Sequence, residues 1–168
     1  MSDTAIRKPI YLGEEPFQSS HTPTSGKEVT IAGETYYQIS SVDQMRPFFM
    51  SIVSHSDHWM FLASNGGLSA GRVNSDHALF PYYTDDKITE SAENTGSKTI
   101  VLVESEERQM LWQPFSDQNR GVYSIQRNLY KNAYGNKVIF EEVNHDLALT
   151  FRYQWAASER YGFVRSAR

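Results

Sequence analysis

Leu147-Ala148-Leu149-Thr150-Phe151-Arg152-Tyr153-Gln154-Trp155 decides the fold. The odd positions carry large apolar side chains and the even positions carry Ala, Thr, Arg and Gln. A period of two puts all five large groups on one face of a strand, whereas a helix of 3.6 residues per turn would scatter them around its axis. Working outward, the same pattern continues. Asn144-His145-Asp146 reads as the turn before this strand, and Lys137 to Val143 as the strand before the turn. Gly135-Asn136 is a further turn. Ahead of it Tyr123, Ile125 and Leu129 alternate with Ser124, Gln126 and Asn128, with Arg127 the one charge on the apolar register. On the other side, Glu159 to Arg165 reads as a strand pairing back across a turn at Ala156-Ala157-Ser158.

The first two thirds carry shorter signals. Glu28 to Ile31 and Thr35 to Ile39 flank Ala32-Gly33-Glu34, a hairpin signal. His58 to Ser64, Lys98 to Glu104 and Gln109 to Phe115 read as strands, and Ala78 to Tyr83 as a short one interrupted by Pro81. Ser41 to Val53 is the one helical segment, with Ser41 as its cap and Pro47 limiting its length. Residues 1–26 are rich in Ser, Thr, Pro and Gly and read as a loose arm that Ile10, Tyr11 and Leu12 could pin to the domain. Strand after strand at short spacing gives an all-β, antiparallel β-sandwich over residues 27–168, with at most one short helix.

Composition bounds the function. The chain of 168 residues is long enough for one domain with a sizeable core. Its net charge of −4, with Lys and Arg scattered, disfavours nucleic acid, which needs a clustered basic face. It contains no cysteine, which removes disulfides, thiolate metal ligands and thiol nucleophiles together. The longest wholly apolar runs, such as Trp59 to Ala63, are five residues, too short to span a membrane. There is no signal-peptide pattern behind Met1, so the expected location is the cytoplasm.

Several polar constellations stand out in the sequence. His55-Ser56-Asp57-His58 and Asp76-His77 hold residue types that bind zinc or iron. On a strand, however, His55 and Asp57 would face away from His58, so a structural reading outweighs a metal one. Ser64-Asn65-Gly66-Gly67-Leu68-Ser69-Ala70-Gly71-Arg72 is glycine-rich, but no Lys-Ser or Lys-Thr follows. A structural corner therefore outweighs a phosphate loop. Asp85-Asp86 and Glu141-Glu142 are adjacent carboxylates, and adjacent strand residues point to opposite faces. Neither doublet alone is the facing pair that glycoside hydrolysis needs. Glu141 and Glu142 are read as one solvated position and one near the sheet margin, and Asp85-Asp86 as loop. Trp59, Trp112 and Trp155 could stack on sugar rings but read first as core. No Gly-x-Ser-x-Gly elbow supports a Ser-His-Asp triad.

The stretch Trp59-Met-Phe-Leu-Ala-Ser-Asn-Gly-Gly-Leu-Ser-Ala-Gly-Arg72, with Ala78-Leu-Phe-Pro-Tyr-Tyr83 and Thr84-Asp-Asp-Lys-Ile88 after it, resembles the N-terminal β-sandwich of cellobiose-phosphorylase-like carbohydrate enzymes. Tyr161-Gly-Phe-Val-Arg165 resembles a later strand of that domain, so the similarity covers roughly residues 28–168. The resemblance implies a supersandwich-like fold that precedes a catalytic helical barrel, supports dimer contacts and shapes a substrate entrance. No residue matches a catalytic position of that family.

The expected function is therefore a non-catalytic sandwich of a disaccharide phosphorylase or glycosidase, without a cofactor of its own. Its roles would be docking of the catalytic barrel, homo-oligomer contacts and sugar contact near Arg72, Asp76, Tyr82, Tyr83 and Asp85. A free-standing carbohydrate- or protein-binding module is the alternative. A small metal enzyme built on His55, Asp57, His58 and His77 is the third reading. The resemblance also implies a chain truncated at its C-terminal end, with an exposed aromatic edge at Tyr161 and Phe163 that drives two-fold association.

Overall fold

Residues 149–158 form the second strand of a six-stranded antiparallel sheet, with four further strands on one side and one on the other. The structure is a computed structural model and describes residues 10–12, 15–16, 22–96, 98–106, 108–118 and 121–168. In chain order the elements are β1 (Tyr11–Leu12), β2 (Glu15–Pro16), β3 (Ser25–Ile31), β4 (Glu34–Ser40), β5 (Phe49–Ile52), β6 (His58–Ala63), β7 (Leu68–Arg72), α1 (Asp85–Glu90), β8 (Val101–Glu104), β9 (Gln109–Trp112), β10 (Ile125–Asn132), β11 (Lys137–Asn144), β12 (Leu149–Ser158) and β13 (Gly162–Ala167). The large sheet runs β13-β12-β11-β10-β4-β3, and β5-β6-β7 form a second sheet. β8-β9 and β1-β2 are small ladders. The large sheet is thus one meander interrupted once, between β4 and β10, and residues 41–124 form the excursion.

The two sheets face each other across one core. Leu129, Val138, Phe140 and Tyr153 come from the large sheet, and Met50, Ile52, Met60, Leu62, Leu68 and Ala70 from the small one. Each fully buried aliphatic or aromatic side chain contributes about 1.5–3 kcal/mol from removal of apolar surface from water. Phe140 stacks on Tyr153 with ring centroids 4.8 Å apart, and Phe115 meets Tyr153 edge-on at 5.2 Å. Phe151, Trp155, Ala157 and Phe163 pack on the margin of this core, as the alternation requires. The architecture is an all-β, antiparallel, sandwich-like fold, with one short α-helix among the described residues. Among the described residues no helix is long and apolar enough to cross a membrane.

Several expectations are corrected. Ser41–Val53 is not a helix. Only Val42–Gln44 make a 3-10 turn, and Phe49–Ile52 are strand β5 paired with β6. Ser41 does not cap it, because its φ of 54° is left-handed and its side chain makes no cap bond. Pro47 stops any helix, and the alternation of Phe49, Met50, Ser51 and Ile52 suits a two-sided strand. Ala78–Tyr83 is not a strand, since only an isolated bridge joins Gly71 to Ala78. Asp85–Glu90 is helix rather than loop, opened by Thr84 with Asp85 and Asp86 in its first turn, where carboxylates favour the positive end of the helix. Leu147 lies in the turn before β12. Ala156, Ala157 and Ser158 continue β12, and the turn falls at Glu159–Tyr161. Ile10 and Tyr11 are exposed, while the Leu12 side chain and most of the expected arm over residues 1–26 lie outside the described residues.

Glu141 and Glu142 give the largest correction, because both are buried, at 5% and 2% exposure. Glu142 points into the sandwich. It accepts from the Trp112 indole at 2.8 Å, the Phe115 backbone N–H at 2.7 Å and Arg127 Nε at 2.9 Å. That explains the one charge on the apolar register of β10. Arg127 and Glu142 are direct cross-strand partners. Glu141 points to the other face, where Arg152, Tyr130 and Asn128 all donate to it. Burial raises the Glu141 pKa, but the hydrogen bonds from Tyr130, Asn128 and Arg152 outweigh it and hold the carboxyl below its usual range.

Candidate functional site

β6 is apolar on both faces, and β5 presents Phe49 beside Ser51 on its outer one. Met50, Ile52, Met60 and Leu62 face the core, which leaves Phe49, Trp59 and Phe61 on the outer face. Such a strand normally lies buried on both sides. Here Phe49 is 48% exposed, and Trp59 and Phe61 are half-buried. The rings form a row. Phe49 meets Phe61 at 5.3 Å, Phe61 meets Trp59 at 5.5 Å, and Trp59 meets Tyr82 at 5.6 Å. The first three are tilted by only 31–39° from ring to ring, while Tyr82 stands at 82° to Trp59. The result is a platform of three rings with a wall at one end.

The backbone is shaped to hold that row. A Cβ at Gly71 would lie 2.4 Å from the Trp59 ring, so only glycine lets the indole lie against β7. The indole N–H donates to the Asn74 carbonyl at 3.3 Å and sets the ring's orientation. Ser69 Oγ donates to the Pro81 carbonyl at 2.7 Å and ties the segment carrying Tyr82 down onto β7. Gly67 performs the same kind of service further along. A Cβ there would sit 1.9 Å from the Ile88 carbonyl oxygen, so α1 packs directly on the β6–β7 turn. The glycine-rich stretch is a structural corner, with Asn65 Nδ2 donating to Thr89 O at 2.8 Å.

The residues singled out from sequence fall around this row unevenly. Tyr82 is its wall and is 56% exposed. Arg72 is exposed at the end of β7, next to Gly71, and Asp76 is exposed in the 3-10 turn that Asn74 caps beside Trp59. Tyr83 is half-buried. Asp85 turns into α1, where its Oδ1 accepts from the Asp86 N–H at 3.0 Å. The Thr84 hydroxyl beside it is the main cause holding Asp86 below the usual carboxylate range. Phe49 and Phe61 were missed, and Trp59 was read as core. The signal was present in the doubly apolar alternation of 58–63, whose outer side residues 78–82 and α1 cover only in part.

The histidine cluster is drawn apart. His58 Nδ1 is 2.6 Å from Ser56 Oγ, its ring meets Phe163 edge-on at 5.7 Å, and it packs against Gly162. His77 Nδ1 is 2.8 Å from Asn74 Oδ1. Among the described residues no group of three or more His, Cys, Asp or Glu side chains could hold a metal ion.

No protein-family model matches this chain, and no curated protein is detectably similar to it.

Proposed function

We propose that this chain is a non-catalytic β-sandwich that contacts carbohydrate, as a supporting domain of a disaccharide phosphorylase or glycosidase. The observation that carries the reading is the row Phe49–Phe61–Trp59–Tyr82, exposed at both ends and half-buried between them, with polar groups at one end. Aromatic faces offer apolar contact to the C–H faces of sugar rings, and Arg72 and Asp76 offer hydrogen bonds to their hydroxyls. Rings tied in place by Gly71, Asn74 and Ser69 lose little freedom on binding, which favours affinity. Titration of the chain with cellohexaose and maltohexaose tests the reading. One of them should bind, and Trp59→Ala should abolish that binding while the fold remains intact by circular dichroism. Binding unaffected by Trp59→Ala, or none by either sugar, would overturn it.

A protein partner is the second reading. Leu79 and Val73 are 70% and 66% exposed close to the row, and would suit the docking of a helical-barrel domain. Two-fold association through β13, an open edge of the large sheet with exposed Tyr161 beside it, completes that reading. Phe163 takes no part in it, because it packs on the core rather than lying exposed. The cytoplasmic placement belongs to the same proposal; the cysteine-free composition is compatible with it.

A further inference from the structure

One polar atom at the margin of the core has no structural use. Phe140 and Phe115 pack on the Tyr153 ring, so the core explains the ring. It does not explain the hydroxyl, which has no hydrogen-bond partner among the described residues. The residue is 9% exposed. Its oxygen nevertheless keeps open surface, because among the described residues the enclosed side-chain polar atoms without a partner are Asp43 Oδ1 and Asn144 Nδ2 alone. The hydroxyl points at Gly66, where a Cβ would lie 3.2 Å from it. Gly66 and Tyr153 both line a pocket of about 40 Å³ between the β6–β7 turn and strands β12 and β13, which shares no residue with the aromatic row.

The same pocket holds a second group without a partner. Arg165, on β13 opposite Trp155, is half-buried, and its guanidinium carbon lies 4.7 Å from the centre of the Tyr153 ring. Among the described residues no carboxylate, carbonyl or hydroxyl accepts an N–H from it. Two further charged residues line the pocket, and they satisfy each other. Lys98 Nζ is 3.0 Å from Glu93 Oε2, and Glu93 Oε1 accepts from the Asp117 N–H at 2.9 Å. The pocket therefore carries one uncompensated positive charge with a hydroxyl beside it. Burial pushes the Tyr153 pKa up, which keeps that hydroxyl protonated and able to donate at neutral pH.

These groups define what would satisfy them. The hydroxyl can donate or accept, but the guanidinium only donates, so a ligand that meets both must accept from both. A half-buried cation favours an anion over a neutral acceptor, and one excess charge matches a monoanion. Leu68, Phe115, Phe151 and Trp155 give the pocket apolar walls, which suit an anion with a short hydrocarbon part better than phosphate or sulfate. A pocket of this volume takes about three or four non-hydrogen atoms, since one water needs roughly 10–15 Å³.

We propose that this pocket binds a small monocarboxylate of two or three carbons, its carboxylate bridging the Arg165 guanidinium and the Tyr153 hydroxyl and its alkyl end against the apolar wall. The site is separate from the aromatic row and does not depend on the carbohydrate reading.

The test is an NMR titration of the whole chain with acetate and propionate, with acetamide as the neutral probe and inorganic phosphate as the polar anion. Acetate or propionate should shift the Trp155 indole N–H and Arg165 Nε–H signals saturably in the millimolar range, as so few contact atoms allow. Acetamide and phosphate should bind about tenfold more weakly or not at all. Tyr153→Phe removes the hydroxyl and keeps the stacked ring, so its thermal melt should match that of the native chain. Arg165→Gln removes the charge on an edge strand, and decides alone if the Tyr153→Phe melt shifts. Each variant should weaken acetate by about tenfold, the loss of one charge-assisted hydrogen bond. Trp59→Ala should leave acetate binding unchanged. No saturable shift with either carboxylate, or acetate bound equally by the native chain and both pocket variants, overturns the proposal. So does phosphate or acetamide binding as tightly as acetate, or loss of acetate binding in Trp59→Ala.

Discussion

Phe115, Phe140, Phe151 and Tyr153 touch one another at ring-centroid distances of 4.8–6.3 Å between the two sheets. Phe49, Phe61, Trp59 and Tyr82 touch at 5.3–5.6 Å on the outside of the small sheet. The residue types and spacings are alike, and the surroundings are not. The inner set is roofed by aliphatic side chains from both sheets, so folding alone accounts for it. The outer set keeps Phe49 and Tyr82 about half in water, where rings gain little from folding. Aromatic contact by itself therefore says nothing about role. What separates the two sets is whether burial already explains the rings.

Substitutions can break or sharpen that contrast. Phe140→Ala should lower unfolding stability by about 3–5 kcal/mol, as for other buried aromatic truncations, whereas Phe61→Ala should lower it much less. Urea titration of the two variants measures both, and equal losses would erase the distinction. Glu142→Ala should cost about 3 kcal/mol, because it leaves the Trp112 indole and the Phe115 N–H unpaired and removes the buried one of the two carboxylates that Arg127 pairs with. Double substitution of Arg127 and Glu142 by apolar residues should recover part of that loss. A third effect is a dependence on acid. The folded pKa of Glu141 is depressed, so its contribution is fully present above the unfolded carboxylate value and is lost as pH falls through the folded value. Glu141→Gln should flatten the stability profile below about pH 4.3, the ordinary glutamate value, and thermal melts across that window check it. The smallest effect is Tyr82→Ala, which should change stability by no more than about 0.5 kcal/mol yet weaken any sugar bound to the row. A larger destabilisation would place Tyr82 with the inner set.

The meander was legible because period-two patterning is a local property, and its reason is visible residue by residue from Phe151 to Trp155. Even Arg127 was correctly marked as the anomaly of its strand, although its partner was misjudged. Glu142 is adjacent in space only because β10 and β11 pair in one particular register, and a polar doublet gives no local sign that it will be buried. The 41–53 segment misled for a related reason. Ser41 and the spacing to Pro47 resemble a capped helix, and the competing strand gains its stability from pairing with β6, which lies further along the chain. Asp85–Glu90 went the other way. Thr-Asp-Asp is an ordinary helix start that was overlooked beside the more conspicuous Tyr82-Tyr83. Of the residues expected to contact sugar, Tyr82 ends the aromatic row and Arg72 and Asp76 lie near it, while Phe49 and Phe61 stood outside that expectation because only the fold shows that α1 and residues 78–82 cover the outer face of β6 in part.

The single interruption of the large sheet also bears on the order of assembly. β10 to β13 are joined by short turns and can pair as soon as they are made, whereas β4 meets β10 only after residues 41–124 have been closed into a loop. Closing a loop of that length costs chain entropy before any ladder bond repays it, and the small sheet folds inside the loop. The C-terminal meander is then the natural nucleus, and the β3–β4 hairpin is the late arrival. A chain emerging N-terminus first would hold that hairpin unpaired until its last third appeared. Half of the sandwich waits for the part synthesised last.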